Sequence, residues 1–194
     1  RVVGFGRLVA KKGWPDFLTA VAQLRTQGID VTADIAGTGP LADDLHQLTD
    51  TLGLTDAVTW HGPMPQHEVI ELIRGAGAFA APCVIADDGD RDGLPTVLLE
   101  SMALGTPVIG TPVAGIPEAV HDDETGLIVP EHDPAALAVA LERLLTDPTL
   151  RIRLATAARA HLERTFDMHD QARHLRGITA AVTSRQHTPE GPEI

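Results

Sequence analysis

Two basic side chains, Arg7 and Lys12, lie in a glycine-bounded loop that follows the first apolar segment of the chain. The guanidinium of Arg7 offers a planar fork for a phosphate group, and the ammonium of Lys12 offers a point charge. The loop glycines, Gly6 among them, allow tight turning and close approach to a ligand. Cations held opposite a leaving diphosphate stabilise the charge that develops as the bond to it breaks. The loop therefore predicts a diphosphate clamp, and the alternative is a solvent-exposed basic turn.

A nicotinamide-dinucleotide site is a poor interpretation of the same loop. Gly4 and Gly6 begin the fingerprint of such a site, but Val9 occupies its third glycine position. Asp34 lies within the second apolar segment rather than cleanly at its end, where a ribose-binding acid is expected.

A second set of polar groups lies in an acidic loop and in the helix predicted after it. Asp92 and Glu100 are eight positions apart, and Pro95 between them suits a first helical turn. A helix start presents free N–H groups and a positive dipole end to phosphate or sugar oxygens. One carboxylate would accept hydrogen bonds from sugar hydroxyls and the other from ribose hydroxyls, with the diphosphate between them. The alternative for Glu100 is an ordinary acid on a helix surface.

The acidic loop also raises the question of a metal site. Asp88, Asp90 and Asp92 match the start of a calcium-binding loop, but its terminal acid would fall on Leu99 rather than on Glu100. Aspartates one residue apart can hold a divalent ion that bridges a diphosphate, yet the basic residues of the first loop make such an ion unnecessary. The nine histidines are scattered without a strong zinc spacing. We therefore expect no metal and no other cofactor.

The composition narrows the classes of function. A formal net charge of −12 argues against nucleic acid as a partner, because polyanion binding requires a positive field. The one cysteine, Cys83, rules out an internal disulfide and fits a reduced, cytoplasmic setting. No apolar run is long enough to span a bilayer, and no secretory signal opens the chain. Because Arg1 already begins a strand-like segment, we expect the chain to be a fragment.

Short apolar segments alternate with amphipathic segments along most of the chain. Strands are predicted at residues 1–5, 31–36, 58–61, 78–82, 107–110 and 127–129. Helices are predicted at residues 15–27, 41–52, 66–74, 95–104, 134–145, 150–164 and 169–182, with Asp133 as N-cap of the fifth. This alternation predicts an α/β domain over residues 1–183, in which about six parallel strands form a doubly wound sheet between helices. The polar residues 184–194 are expected to be a disordered tail.

The candidate residues cluster at one edge of this predicted sheet. Ligands bind to a doubly wound sheet where loops leave the carboxyl ends of its strands. The loops at residues 6–13, 37–40 and 83–95 follow the first, second and fourth predicted strands, so we expect one shared site. Gly39 would turn beneath a nucleotide, and His61 is a candidate for the base pocket. The alternatives are a plain strand-to-helix turn and a polar residue that merely ends a strand.

Four blocks of sequence, in order, carry a family resemblance. They are Gly6-Arg7-Leu8-Val9-x-x-Lys12-Gly13, Asp92-Gly93-Leu94-Pro95-x-x-Leu98-Leu99-Glu100-x-Met102-Ala103-x-Gly105-x-Pro107-Val108, Gly115-Ile116-Pro117-Glu118 and Thr125-Gly126-Leu127-Ile128-Val129-Pro130. These blocks strongly resemble the C-terminal domain of family 4 glycosyltransferases, also called glycosyl transferases group 1. The resemblance extends from residue 2 to about residue 164.

The resemblance implies a Rossmann-like domain that forms one half of a GT-B enzyme, with the active site in the cleft between two such domains. It implies that Arg7 and Lys12 contact the diphosphate of the donor and that Glu100 contacts the ribose. Asp92 and the backbone of Gly93 and Leu94 would contact the donor sugar. The full set of expected substrate-binding residues is Gly6, Arg7, Lys12, Gly39, Asp92, Gly93, Leu94, Pro95 and Glu100, and the expected catalytic residues are Arg7, Lys12 and Asp92.

Members of this family retain the anomeric configuration and generally need no metal. Their acceptor site belongs to an N-terminal domain, which we expect to be absent here. Residues from about 168 to 183 would form a helix that crosses back to that N-terminal domain. This sequence has Asp92 where the family usually has glutamate, which shortens the reach to the sugar hydroxyls. The form Asp90-Arg91-Asp92-Gly93 is similar to a subset of bacterial enzymes for exopolysaccharides, including colanic acid.

The resulting prediction is the donor-binding domain of a retaining hexosyltransferase that uses a UDP-, GDP- or ADP-linked sugar. Alone, the domain would be essentially inactive, and any association of the enzyme with a membrane would be through the missing half. The reaction would serve polysaccharide or glycoconjugate synthesis. Two alternatives stay open: a GT-B-fold epimerase or phosphorylase, and a non-catalytic module that binds a nucleotide sugar.

Overall fold

A six-stranded parallel sheet forms the centre of the protein. The computed structural model describes residues 1–167, 172–173 and 175–179. The strands are β1 (Val2–Phe5), β2 (Ala33–Ala36), β3 (Val58–Gly62), β4 (Ala78–Ala81), β5 (Val108–Gly110) and β6 (Leu127–Ile128). Their order is β3-β2-β1-β4-β5-β6, so the winding direction reverses between β1 and β4. The predicted doubly wound sheet is therefore confirmed, and its switch point lies where ligands bind in such folds.

Seven helices connect and follow the strands within residues 1–167. They are α1 (Trp14–Thr26), α2 (Ala42–Thr51), α3 (Gln66–Arg74), α4 (Thr96–Ala103), α5 (Ile116–Ala119), α6 (Pro134–Thr146) and α7 (Pro148–Thr165). The predicted bounds of these helices agree with the structure to within two residues, and those of α3 are the same. The prediction missed α5 and a 3-10 turn at Ala10–Lys12, because elements of three or four residues are too short to show helical periodicity.

The side chains of successive strand residues pack into two separate apolar cores, one on each face of the sheet. In β1, Val2 packs into the core beneath α1, α2 and α6, whereas Val3 packs into the core beneath α3, α4 and α5. Helix α7 serves both cores, since Leu154 belongs to the first and Leu162 to the second. Burial of a large apolar side chain contributes about 1.5–3 kcal/mol to the stability of the fold. The two cores therefore hold the ends of the strands in place.

The predicted last helix is only partly described. Residues 172–173 and 175–179 are helical and exposed. The rest of the predicted segment at 169–182, and the predicted tail at 184–194, lie outside the described residues. Within the part of the chain that the structure describes, no helix combines the length and apolar character needed to cross a membrane.

Candidate functional site

The loops after β1, β2 and β3 join into a continuous backbone floor at the carboxyl edge of the sheet. Leu8 donates its N–H to the carbonyl of Thr38 at 2.9 Å, and Gly37 donates to the carbonyl of Gly62 at 2.7 Å. A Cβ at Gly39 would lie 2.3 Å from the carbonyl oxygen of Leu8, so only glycine fits there. Gly39 thus has a packing function between two loops, and its contact with a donor stays a prediction.

The loop after β1 is also pressed against the loop after β4. Gly13 has φ 65°, which favours glycine, and a Cβ there would lie 1.8 Å from the carbonyl oxygen of Pro82. Val84 donates its N–H to the carbonyl of Lys11 at 3.0 Å. These backbone contacts fix the 3-10 turn that carries both lysines opposite the acidic loop.

Two lysines and two aspartates meet across this junction. The Nζ of Lys12 lies 2.5 Å from Oδ2 of Asp92, and the Nζ of Lys11 lies 3.5 Å from Oδ1 of the same carboxylate. Lys11 also forms an ion pair with Asp90, with 3.0 Å between Nζ and Oδ1. Both lysine side chains are well shielded, with 13% and 15% exposure. The structure therefore brings Lys12 and Asp92 together, and it adds Lys11, which the sequence-based set of site residues left out.

The electrostatics of this cluster favour an ionised Asp92. Burial alone would raise the pKa of Asp92, but the hydrogen bond and charge of Lys12, followed by those of Lys11, lower it below the ordinary value of 3.8. The hydrogen bond to Asp90 raises the pKa of Lys11. Cys83 lies beneath the cluster with Sγ 3.7 Å from Oδ2 of Asp92, and burial raises the pKa of its thiol to about 12. At neutral pH the Asp92 carboxylate is thus charged and the thiol is protonated.

An open helix start follows Asp92 directly. Pro95 is the extended N-cap of α4, so the helix begins at the next residue rather than at the predicted residue 95. Gly93 is fixed by the N–H of Gly115, which donates to its carbonyl at 2.8 Å. The N–H groups of Gly93, Leu94 and the first two helical residues donate to no acceptor among the described residues. They form a cluster of free donors at a positive dipole end, which suits anionic oxygens.

Arg7 and Glu100 form no ion pair with the side chains of this cluster. The Arg7 side chain is exposed and forms no ion pair with a described carboxylate, while Trp14 Nε1 donates to the Arg7 carbonyl at 2.9 Å. Glu100 is partly exposed on α4 and forms no ion pair with either lysine. Lys12 and Pro95 line one narrow cavity together with Phe5, Trp14, Cys83 and their neighbours, but Arg7 and Glu100 do not line it. Their convergence on one donor cavity stays a prediction.

A wider groove of about 470 Å³ borders the backbone floor. His61, the candidate for the base pocket, lines it with Thr38, His46 and Trp60. The Nε2 of His61 lies 2.6 Å from Oδ1 of Asp34, so one ring nitrogen is already engaged by a buried carboxylate. Contact between His61 and a base stays a prediction.

Three carboxylates of the acidic loop already have partners within the protein. Asp88 accepts a hydrogen bond from the N–H of Asp90 at 2.9 Å, and Asp90 and Asp92 pair with lysines. Over residues 1–167, 172–173 and 175–179, no group of three or more His, Cys, Asp or Glu side chains is arranged to hold a metal ion.

Comparison with known proteins gives a family match over most of the chain. The family model described as glycosyl transferases group 1 matches residues 2–161. A putative colanic acid biosynthesis glycosyltransferase, WcaL of Escherichia coli (strain K12), is 36% identical over 184 residues, covering 93% of this chain and 45% of that protein. A GDP-mannose-dependent alpha-(1-6)-phosphatidylinositol monomannoside mannosyltransferase of Mycolicibacterium smegmatis is 34% identical over 159 residues, covering 81% of this chain and 42% of that protein. The chain thus spans less than half the length of these two relatives.

Solved structures share the same fold. Anabaena Alr3699/HepE in complex with UDP superposes with a TM-score of 0.82 at 24% identity, covering 93% of this chain and 48% of that one. The C-terminal domain of a glycosyl transferase group 1 family protein, LpcC of Francisella tularensis, superposes with a TM-score of 0.74 at 24% identity, covering 86% of both chains.

Proposed function

Because this chain belongs to the glycosyl transferases group 1 family and folds as one half of a GT-B enzyme, we propose that it is the donor-binding domain of a retaining glycosyltransferase. The intact enzyme would transfer a hexosyl group from a nucleoside diphosphate sugar to an acceptor, in the synthesis of an exopolysaccharide or another glycoconjugate. An acceptor-binding domain would form the opposite wall of the cleft. The reaction would take place in the cytoplasm and would need no metal.

The observation that supports this function most directly is the contact of Lys12 with Asp92 beside the open start of α4. A donor of this class presents an anionic diphosphate next to a hydroxyl-rich sugar. The site offers the Lys12 ammonium for the diphosphate and the Asp92 carboxylate for the sugar, and Nζ of Lys12 lies 2.5 Å from Oδ2 of Asp92. The unpaired N–H groups of Gly93 and Leu94 lie immediately beyond. Positive charge and N–H donors suit the diphosphate, and a carboxylate suits paired hydroxyls.

In the proposed reaction the bond between the anomeric carbon and the diphosphate oxygen breaks, and the electron pair leaves with the diphosphate. Arg7, Lys12 and the start of α4 would stabilise the charge that develops there. Asp92 would orient the sugar through its hydroxyls. Glu100, just over one turn into α4, would hold the ribose. The acceptor oxygen would then form its bond on the face that the diphosphate left, while its proton would pass to an oxygen of the departing diphosphate, and the anomeric configuration would be preserved.

The similar proteins leave the nucleotide open. One solved neighbour holds UDP, whereas one relative is described as GDP-mannose-dependent, so UDP and GDP are both candidates, and ADP is a third. The colanic acid relative favours an exopolysaccharide as the product. Asp92 stands where the family usually has glutamate, so the sugar preference of this protein would follow from the shorter reach of its carboxylate.

Calorimetry of this chain with UDP, GDP and ADP, and then with their sugars, tests the proposed function. The variant Arg7→Ala should bind every diphosphate at least about tenfold more weakly, which corresponds to roughly 1.4 kcal/mol. Glu100→Ala should also weaken binding of the nucleoside part. Arg74→Ala is the matched control, since it removes an exposed arginine at the end of α3, away from the carboxyl edge. If Arg7→Ala and Glu100→Ala both bind like the parent, the site is wrongly assigned.

A further inference from the structure

The chain contains two lysines, Lys11 and Lys12, against thirteen arginines, and both lysines face the same carboxylate. A compact ammonium on a flexible stem can exchange partners more easily than a planar guanidinium that is fixed by several bonds. The proposed function uses Lys12 for the diphosphate and gives Lys11 no task. The pairing of both lysines with Asp92 therefore needs an explanation of its own.

The two lysines are held differently. Among the described residues, Asp92 is the one ion-pair partner of Lys12. Lys11 has two such partners, Asp90 and Asp92, and its own carbonyl accepts the N–H of Val84. The Lys12 side chain can therefore leave after the loss of one ion pair, whereas the Lys11 side chain is held by two.

Departure of Lys12 toward a diphosphate would expose Asp92 to two unfavourable effects at once. Its side chain is only 16% exposed, so burial already disfavours its charged form. It would lose its shortest ion pair while the negative charge of the diphosphate arrived nearby. The groups that face it are Lys11, Lys12, the protonated thiol of Cys83 and, through Lys11, the carboxylate of Asp90. With Lys12 gone, Lys11 is the one cation left among these groups.

On the basis of the proposed function, we propose that Lys11 is a positioning residue for Asp92. When Lys12 moves to the diphosphate of the donor, Lys11 stays on Asp92 and holds the carboxylate charged and in place against the donor sugar. Asp90 acts as the second anchor that keeps Lys11 from following Lys12. The adjacent lysines thus divide two tasks, with Lys12 for the leaving group and Lys11 for the sugar.

Because the chain has two lysines, NMR can follow each of them in the unmodified protein. Lysine labelled with ¹³C at Cε and ¹⁵N at Nζ gives one signal for each side chain, and Lys12→Arg assigns them by the signal that it removes. UDP and GDP are added separately to millimolar concentration, with uridine as the control without phosphate. The Lys12 signal should shift strongly, while the Lys11 signal should move by less than about a third as much. Uridine should shift neither signal.

A second measurement tests the consequence for Asp92. The pKa of its carboxyl is read from its ¹³Cγ signal, in the free and in the nucleotide-bound chain. Lys11→Met should raise this pKa by about one unit or more in the bound chain, and by less in the free chain, where Lys12 still compensates. Lys11→Arg, which restores the charge, should recover most of the parent value.

The outcomes separate the two proposals. An unchanged pKa of Asp92 in nucleotide-bound Lys11→Met, or a Lys11 signal that moves as far as the Lys12 signal, overturns the positioning function of Lys11 and leaves the donor site intact. If neither lysine signal responds to UDP or GDP, the donor site itself is wrong, and the positioning function is overturned with it.

Discussion

Gly13 and Pro82 are in direct backbone contact, so that a Cβ added to Gly13 would lie 1.8 Å from the Pro82 carbonyl oxygen. This contact joins the start of α1 to the residue that follows β4, across the switch point of the sheet. Lys11 and Lys12 directly precede Gly13, so the same contact sets their distance from Asp92. The geometry of the candidate site therefore depends on a glycine that carries no functional group.

The substitution Gly13→Ala should destabilise the fold. A non-glycine residue at φ 65° costs about 1–2 kcal/mol, and displacement of the Pro82 backbone adds roughly 1–3 kcal/mol. Urea unfolding should therefore show a loss of about 2–5 kcal/mol. Gly53→Ala is the matched control, because Gly53 has φ 67° and no heavy atom within 4 Å of the added Cβ. It should lose only the backbone component, and equal losses for the two variants would contradict a tight loop contact.

The ion pairs of Asp92 should make stability depend on pH in a defined direction. Since its pKa lies below the ordinary 3.8 in the folded chain, the ionised carboxylate stabilises the fold above that pH. This contribution is lost as the pH falls through the lowered value, because the folded state must then bind a proton. Asp92→Asn should therefore be less stable than the parent at pH 6, and the difference should shrink as the pH falls below 3.8.

The control for this measurement is Asp87→Asn. Asp87 is an exposed acid in the same loop and forms no ion pair with a described residue. Its substitution should change stability little at pH 6 or at lower pH. A stability difference between Asp92→Asn and the parent that persists unchanged as the pH falls below 3.8 would show that the lost contacts are not electrostatic.

Much of the fold follows from the sequence, because alternating apolar and amphipathic segments carry the periodicity of strands and helices. Asp133 before a proline predicted an N-cap, and its Oδ1 accepts the N–H of Ala136 at 2.8 Å. Lys11 shows where such reasoning ends. Neighbouring side chains usually diverge, and the 3-10 turn that brings Lys11 and Lys12 to one carboxylate has no periodic pattern. Likewise, the close approach allowed by Gly13 is to Pro82 rather than to a ligand.

The N-cap of α6 gives a third prediction. Asp133→Ala removes the acceptor for a helical N–H and should cost about 1 kcal/mol in urea unfolding. Asp133→Asn keeps a side-chain oxygen at the same reach and should stay within a few tenths of a kcal/mol of the parent. If asparagine loses as much as alanine, the negative charge rather than the hydrogen bond stabilises the helix start.

The fourth prediction concerns Cys83, whose sulfur lies under Asp92 and whose carbonyl accepts the Thr111 hydroxyl at 2.5 Å. The side chain is buried, and its pKa of about 12 leaves about one thiol in ten thousand ionised at pH 8. Iodoacetamide should therefore label the folded chain far more slowly than the chain unfolded in about 8 M urea.

Gly13→Ala loosens the backbone above this sulfur, so labelling of that variant should be faster than labelling of Gly53→Ala. Rapid labelling of the folded parent would mean that the loop after β4 opens readily, and then the lysines could not be held against Asp92 by the contact between Gly13 and Pro82.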